Sequence, residues 1–188
     1  MNVLIIYAHP HCQSFSEAIL KKVQAGLSKV HTVTLLDLYA EQFDPVLRFD
    51  KCNKTQTLSK SAEIEKYRTL VAQADHMIFI FPIWWSGMPA MLKGFMDRIF
   101  AKGFAYSYKK VGLEGHLQGK SAWIIATHNT PSLAMPFVQD YGKVLKKQIL
   151  KPCGIAPVKL TRLANTEKIT DEKRERFLEE IRHIACHL

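Results

Sequence analysis

Short apolar segments alternate with amphipathic ones along this chain. The branched apolar run Val3–Tyr7 predicts a buried strand, and apolar positions at helical spacing after Ser14 predict a helix to about residue 29. The alternation continues, and it predicts strands at residues 31–38, 77–81, 122–126 and 157–163. Helices are expected from the serine-rich residues 59–61 to residue 74, and at residues 89–100, 137–150 and 170–183, with an edge hairpin at residues 104–108.

Five strands that alternate with helices predict an α/β fold with an open parallel sheet and helices on both faces. No repeat, low-complexity tract or linker interrupts the pattern, so residues 1–188 are expected to form one domain. In such folds, ligands bind beyond the carboxyl ends of the strands, at the point where the strand order reverses. The residues that follow each strand are therefore the candidate site.

The first of these segments, residues 8–16, reads AHPHCQSFS. Ser14 and Ser16 place hydroxyls beside a helix start, where free N–H groups favour an anion such as phosphate, and His9 can donate to a phosphate oxygen. Ser14 and Glu17 also form the S-x-x-E capping box that opens ordinary helices. This loop alone leaves both interpretations open, and it lacks the GxGxxG pattern of a dinucleotide site.

The second segment follows the strand at residues 77–81 with Pro82, Ile83, Trp84 and Trp85. Two adjacent tryptophans at the end of a strand suit a flat ring ligand, which gains contact area and π-stacking. The alternative is that these tryptophans cover the end of the sheet or form a subunit contact. The sequence does not choose between a ring site and an interface at this point.

The third segment begins after residue 126 with Thr127, His128, Asn129 and Thr130. These side chains can hydrogen-bond the polar edge of a ring. Taken together, the three segments suit a phosphate, a flat ring and the polar edge of that ring. This combination matches the shape of flavin mononucleotide.

Composition and net charge limit the class of protein and the kinds of partner to which this chain can belong. The chain has 188 residues with 26 Lys+Arg against 17 Asp+Glu, a net charge of +9, and 47% hydrophobic residues, which is typical of a globular domain. The amino terminus shows no signal-peptide pattern, and four widely spaced cysteines without a CxxC pair predict reduced thiols in the cytoplasm. The positive charge leaves nucleic acid, an anionic membrane surface and anionic small ligands open, although no recognition-helix motif supports nucleic acid.

Two groups of histidine and cysteine residues are candidate metal ligands. One comprises His9, His11 and Cys12, and the other His183, Cys186 and His187. Neither has the spacing of a structural zinc site, so no metal is expected.

The segments IIYAHPHCQSFS, DLYAEQFDPVL, AQADHMIFIFPIWWSGMPAMLKGFMDRIF with FAYSY after it, and PCGI resemble the NAD(P)H:quinone oxidoreductase family of the flavodoxin-like superfamily. This family includes modulator-of-drug-activity-type and general-stress-type proteins and the ancillary reductases of potassium efflux systems. The resemblance covers nearly the whole chain. It implies a flavodoxin-like three-layer sandwich whose five-stranded parallel sheet has the order 2-1-3-4-5.

The resemblance also implies function. It implies a homodimeric flavoenzyme that works by ping-pong hydride transfer from NAD(P)H through flavin N5 to a quinone. The sequence leaves FMN and FAD both open, and the short chain slightly favours FMN. The implied cofactor-binding residues are His9, Ser14, Phe15, Ser16, Pro82, Ile83, Trp84, Trp85, Thr127, His128 and Asn129. The family's usual Thr-Thr-Gly-Gly is replaced here at residues 127–130. The Tyr and His that assist hydride transfer in the mammalian-type members have no unambiguous match in this chain, and His128 and Tyr141 are the nearest candidates.

Two alternative functions stay open on the sequence. A reductase-like chain of this kind could be a regulatory ancillary subunit of a potassium efflux system, with a membrane transporter as its partner. A flavodoxin-type electron carrier is the other alternative, although a net charge of +9 is unfavourable for docking cationic partners.

Overall fold

The computed structural model describes residues 1–27, 31–48, 62–130 and 142–188. Within these ranges the strands are β1 (Asn2–Tyr7), β2 (Thr32–Asp37), β3 (His76–Pro82), β4 (Tyr106–Tyr108), β5 (Leu113–Gly115), β6 (Ser121–His128) and β7 (Val158–Ala164). The α-helices are α1 (Phe15–Gly26), α2 (Ala62–Gln73), α3 (Ala90–Ile99) and α4 (Asp171–Cys186), and a π-helix spans Leu145–Leu150.

Five of the strands form one parallel sheet in the order β2-β1-β3-β6-β7. This confirms the predicted order 2-1-3-4-5, with β6 and β7 as the fourth and fifth strands of the sheet. All seven residues of the central strand β3 are buried, because helices cover the sheet on both sides. The strand order reverses between β1 and β3, so a crevice is expected at their carboxyl ends.

The core lies in two layers, one on each face of the sheet. Along β1, Leu4 and Ile6 pack into the cluster on the α2 and α3 side, while Val3 and Ile5 pack into the cluster on the α1 and α4 side. Each such side chain contributes about 1.5–3 kcal/mol by leaving water. Alternate side chains of β1 therefore pack against the helices on opposite faces of the sheet. This packing also positions the first turn of α1.

A glycine allows α1 and α4 to pack closely. A Cβ atom at Gly26 would lie 2.5 Å from the carbonyl oxygen of Arg182 on α4. This close approach lies near the carboxyl-terminal ends of α1 and α4, which pack together on one face of the sheet.

Three details differ from the sequence expectations. The hairpin has a second strand, β5, that was not predicted, and the predicted α-helix over 137–150 ends as the π-helix; its residues before 142 lie outside the described ranges. Strand β6 runs on to His128, so Thr127 and His128 are strand residues rather than loop residues. They continue the pairing with Leu163 and Ala164 of β7, and the apolar pattern hid this because both are polar.

Among the described residues, the helices are all too short or too polar to cross a membrane.

Candidate functional site

A cavity of about 1020 Å³ opens at the carboxyl ends of β1, β3 and β6. It lies where the strand order reverses, as the topology predicts. All the predicted cofactor-binding residues line it: His9, Ser14, Phe15, Ser16, Pro82, Ile83, Trp84, Trp85, Thr127, His128 and Asn129. Tyr141, the second candidate for assisting hydride transfer, lies outside the described residues.

The loop between β1 and α1 presents the start of a helix to this cavity. Ser14 is the N-cap of α1, and its Oγ accepts a hydrogen bond of 3.2 Å from the Glu17 N–H. This confirms the predicted cap at Ser14. The cap and an anion site are compatible, since the first-turn N–H groups of a helix also favour negative charge.

His9 lies on the same loop with one ring nitrogen already occupied. Its Nδ1 lies 3.0 Å from the His11 N–H and 3.2 Å from the His11 carbonyl oxygen, so the His11 backbone occupies this nitrogen and Nε2 is the one left for a ligand. Burial lowers the pKa of His9 below its ordinary value of 6.5, which keeps the ring neutral at pH 7. The His9 ring lies 6.0 Å from the Trp84 ring, centroid to centroid, so this donor stands beside the aromatic wall of the cavity.

The tryptophan pair lies on a two-residue hairpin turn. Trp84 and Gly87 exchange two backbone hydrogen bonds of 3.0 Å. The two residues between them, Trp85 and Ser86, both have positive φ, 49° and 64°. That left-handed backbone costs a non-glycine residue roughly 1–2 kcal/mol, and such strain gathers at functional sites.

Both indole rings of this turn are exposed to solvent, to different degrees. Trp84 is 44% exposed and Trp85 is fully exposed. Large apolar surface of this kind at the mouth of a cavity favours a flat ligand or a partner surface. This geometry keeps both sequence interpretations of the tryptophans open.

The end of β6 forms the wall next to the tryptophan turn. Thr127 and His128 are buried, and the Thr127 carbonyl accepts a hydrogen bond of 2.7 Å from the Ile83 N–H. Burial is the main reason that the pKa of His128 lies below 6.5, and nearby Arg162 lowers it further. His128 is therefore a neutral imidazole at the cavity wall at pH 7.

Asn129 joins this wall to the loop after β7. Its Oδ1 accepts hydrogen bonds from Thr166 Oγ1 at 2.6 Å and from the Glu167 N–H at 3.2 Å. Its Nδ2 donates to Glu167 Oε1 at 2.6 Å. The side chain is thus engaged with protein groups, and its proposed contact with a ring stays a prediction.

Sequence reasoning missed the contribution of the loop after β7 and of helix α4. Thr166, Glu167 and Arg174 line the cavity, as do Gln13, Ala18, Ser86 and Thr130. Arg174 donates to the Thr166 carbonyl at 3.0 Å and to Asp171 Oδ1 at 3.2 Å. The sequence did contain a signal for this loop. It follows the fifth strand of the parallel sheet, so it starts at the same edge of the sheet as the loops after β1, β3 and β6.

The donor set favours an organic ligand over a metal. Within the described ranges, no group of three or more His, Cys, Asp or Glu side chains could hold a metal ion. The cavity instead combines neutral N–H and O–H donors, indole surface and one arginine. Such a site can bind an anion at one end and a flat polar ring at the other.

Comparison with known proteins places the chain in a family. Residues 1–185 match the family described as Flavodoxin-like fold. The uncharacterized NAD(P)H oxidoreductase YcaK of Escherichia coli (strain K12) is 32% identical over 172 residues, which cover 88% of this chain and 84% of YcaK. The human ribosyldihydronicotinamide dehydrogenase [quinone] is 37% identical over 146 residues, but the match covers 67% of this chain and only 62% of the human protein.

Solved structures agree in fold. Smu.1420 from Streptococcus mutans UA159 is 68% identical and superposes with a TM-score of 0.98 over 100% of both chains. The NAD(P)H:quinone oxidoreductase from Methanothermobacter marburgensis is 26% identical, with a TM-score of 0.84 over 100% of this chain and 96% of that one. With the sheet order and the cavity at its reversal point, these matches show that the chain belongs to the flavodoxin-like family of NAD(P)H oxidoreductases.

Proposed function

We propose that this protein is a flavin-dependent NAD(P)H:quinone oxidoreductase. The observation that carries the proposal is a single cavity at the reversal of the sheet in which an anion-binding helix start, a tryptophan turn and the polar end of β6 face one space. The oxidoreductase names of the relatives support the same activity.

The residues present fit a flavin. Neutral donors at His9 and Ser14 suit a phosphate, and the exposed indoles of Trp84 and Trp85 suit the isoalloxazine ring. A bound flavin would supply hydride acceptance from NAD(P)H and hydride donation to a quinone, in a ping-pong order.

The protein's own residues bind and orient in this scheme. His9 Nε2 and the Ser14 hydroxyl hold the phosphate end, and the Trp84–Gly87 turn limits the position of the ring. His128, neutral at pH 7, can hold or donate a proton at the wall that β6 forms. Asn129 fixes the loop after β6 by its bonds to Thr166 and Glu167.

FMN is the form of the cofactor that we propose first. The donors of the β1–α1 loop converge on one helix start, which matches the single terminal phosphate of FMN. FAD would need further contacts for its second phosphate and adenosine. The mass of the chromophore released from the purified protein by acid decides between the two.

We also propose a cytoplasmic homodimer. A fully exposed Trp85 beside a 44% exposed Trp84 supports coverage of this turn by a second copy or by substrate. Light scattering on the eluted protein, with Trp85→Ser compared with wild type, tests this. A wild type that runs as a monomer at all concentrations would overturn the dimer.

The main test is catalytic and spectroscopic. Purified protein should show flavin absorbance, and it should oxidise NAD(P)H steadily with menadione as acceptor. A colourless protein that cannot be reconstituted with flavin would overturn the proposal. Flavin binding without turnover would instead favour an electron carrier or a regulatory subunit of a potassium efflux system, and co-purification with a transporter would favour the latter.

A further inference from the structure

A buried tyrosine lies directly beneath the start of helix α1. Tyr7 is the last residue of β1 and is only 1% exposed. Its hydroxyl oxygen lies 3.3 Å from Ser14 Oγ, so the last residue of β1 contacts the N-cap residue of α1. The backbone N–H of Leu38 and the Tyr7 carbonyl, 3.0 Å apart, hold this end of β1 in place.

The hydrogen bonds that the Ser14 hydroxyl can make determine where its own hydrogen points. A serine hydroxyl has one hydrogen to donate and two lone pairs that accept. One lone pair of Ser14 Oγ accepts from the Glu17 N–H at 3.2 Å. If the Tyr7 O–H donates to the second lone pair, the Ser14 hydrogen can only point away from both, towards the cavity that Ser14 lines.

The surroundings of Tyr7 keep it a donor. Burial is the largest cause that raises the pKa of Tyr7 to about 12, so the phenol keeps its proton at any working pH. The hydrogen bond with Ser14 lowers the pKa of Tyr7, whereas the Glu17 carboxylate raises it by its charge and as a second hydrogen-bond partner that competes for the same proton. That carboxylate lies 3.6 Å from Lys21 Nζ, an ion pair that satisfies part of its charge.

We propose that Tyr7 is a positioning residue that fixes Ser14 as a hydrogen-bond donor to the phosphate of the bound flavin. The inference rests on the proposed function and adds a residue to its site. Phosphate oxygens at neutral pH accept and do not donate, so a hydroxyl whose lone pairs are already used is prepared for them before they arrive. Without the Tyr7 hydroxyl, the Ser14 hydrogen is no longer held towards the cavity, and binding of the phosphate must orient it.

The inference predicts a defect that depends on the phosphate. In Tyr7→Phe, the dissociation constant for FMN should rise about tenfold, as expected for a weakened hydrogen bond to a charged group. The dissociation constant for riboflavin, which lacks the phosphate, should stay within about twofold of wild type, since the ring contacts remain. Both constants follow from fluorescence titration of the flavin with apoprotein prepared from the purified holoprotein.

Two controls separate positioning from general structure. Tyr67→Phe removes a tyrosine hydroxyl from a buried residue in the other core layer, and it should leave the ratio of FMN to riboflavin dissociation constants unchanged. In a Ser14→Ala background, adding Tyr7→Phe should change the FMN constant no further, because the group that Tyr7 positions is gone.

The outcomes are distinct. Equal weakening of FMN and riboflavin in Tyr7→Phe, or an additive effect in the Ser14→Ala background, would assign Tyr7 a structural role and overturn the inference. An unchanged FMN constant in Tyr7→Phe would overturn it as well. If Tyr7→Phe does not fold, Tyr7→Leu is measured by the same ratio and judged by the same outcomes. A wild type that binds neither flavin overturns the proposed function itself.

Discussion

At the scale of single residues, His9 offers the sharpest prediction for the candidate site. Because Nδ1 is occupied by the His11 backbone, Nε2 is the ring nitrogen left to contact an anion. His9→Ala should therefore weaken FMN binding about tenfold, and His9→Gln, whose amide nitrogen can reach the Nε2 position, should recover part of the loss. Isothermal titration of apoprotein with FMN measures both constants.

The matched control is His116, an exposed histidine on the β4–β5 hairpin whose Nε2 lies 3.1 Å from Ser107 Oγ. His116→Ala should bind FMN like wild type. Equal losses in His9→Ala and His116→Ala would contradict a specific role for His9 and would indicate a general loss of folded protein.

Residue by residue, the sequence predicted those parts of the site that follow apolar strands. Ser14 and the tryptophan pair follow β1 and β3 directly, so hydrophobic periodicity places them at the edge of the sheet. Arg174 was missed because it is a charged residue within an amphipathic helix, and nothing local distinguishes it from a solvated face. Only the packing of α4 against α1 brings it to the cavity.

At the scale of elements, the Trp84–Gly87 turn holds strain that one substitution can release. Ser86 has φ of 64°, a conformation that glycine adopts without a Cβ penalty. Ser86→Gly should raise the free energy of unfolding by about 1 kcal/mol, and Ser86→Val should lower it, since a branched side chain is worse there. Urea denaturation followed by circular dichroism measures the change.

Gln42 provides the control for this turn. It also has a positive φ, 50°, but it does not line the cavity. Gln42→Gly should give a similar gain. A loss of stability in Ser86→Gly together with a gain in Gln42→Gly would show that the Ser86 side chain contributes more than its backbone strain costs.

A second element-scale prediction concerns the amino-terminal ends of β3 and β6. His76 on β3 is buried, and its Nδ1 lies 2.6 Å from Ser121 Oγ on β6. Burial is the main cause that lowers the pKa of His76 to about 4. As pH falls below about 6.5, the unfolded chain binds a proton at this position that the folded chain refuses.

Stability should therefore be constant above about pH 6.5 and should fall by about 1.4 kcal/mol per pH unit between there and pH 4 through this residue. His76→Gln should flatten that slope in urea titrations across the range. His116→Gln, a change at an exposed histidine, should not. An unchanged slope in His76→Gln would assign the acid sensitivity to other groups.

The elements themselves were largely predictable, and the exceptions have physical reasons. The five sheet strands are apolar runs flanked by turn residues, so periodicity found them. Strand β5, with the sequence LEG, is three residues long and mostly exposed, and it therefore carries no pattern. The π-helix was read as an α-helix because the spacing of apolar residues in LKKQIL suits either.

At the scale of the whole molecule, the net charge of +9 is not explained by the cavity. Among its described lining residues, Arg174 and Glu167 carry the full charges, and these cancel. Exposed lysines elsewhere supply the excess, including Lys143, Lys147 and Lys151 near the π-helix. The excess charge therefore lies outside the described cavity lining, and we expect it to act on anions as a field at a distance rather than through contacts.

This field predicts a salt dependence that differs between substrates. NADPH carries one more phosphate than NADH, so steering by a cationic protein should help NADPH more. Raising the ionic strength from about 10 mM to about 300 mM shortens the Debye length from about 30 Å to below 8 Å, and kcat/KM for NADPH should fall several-fold. The fall for NADH should be smaller, and kcat/KM for the uncharged menadione should hardly change.

Replacing Lys143, Lys147 and Lys151 by Gln should reduce the salt dependence of kcat/KM for NADPH. It should leave kcat/KM at high salt intact, because the cavity contacts are untouched. Equal slopes for NADPH and menadione would show instead that salt acts on the folded protein and that the charge serves another partner.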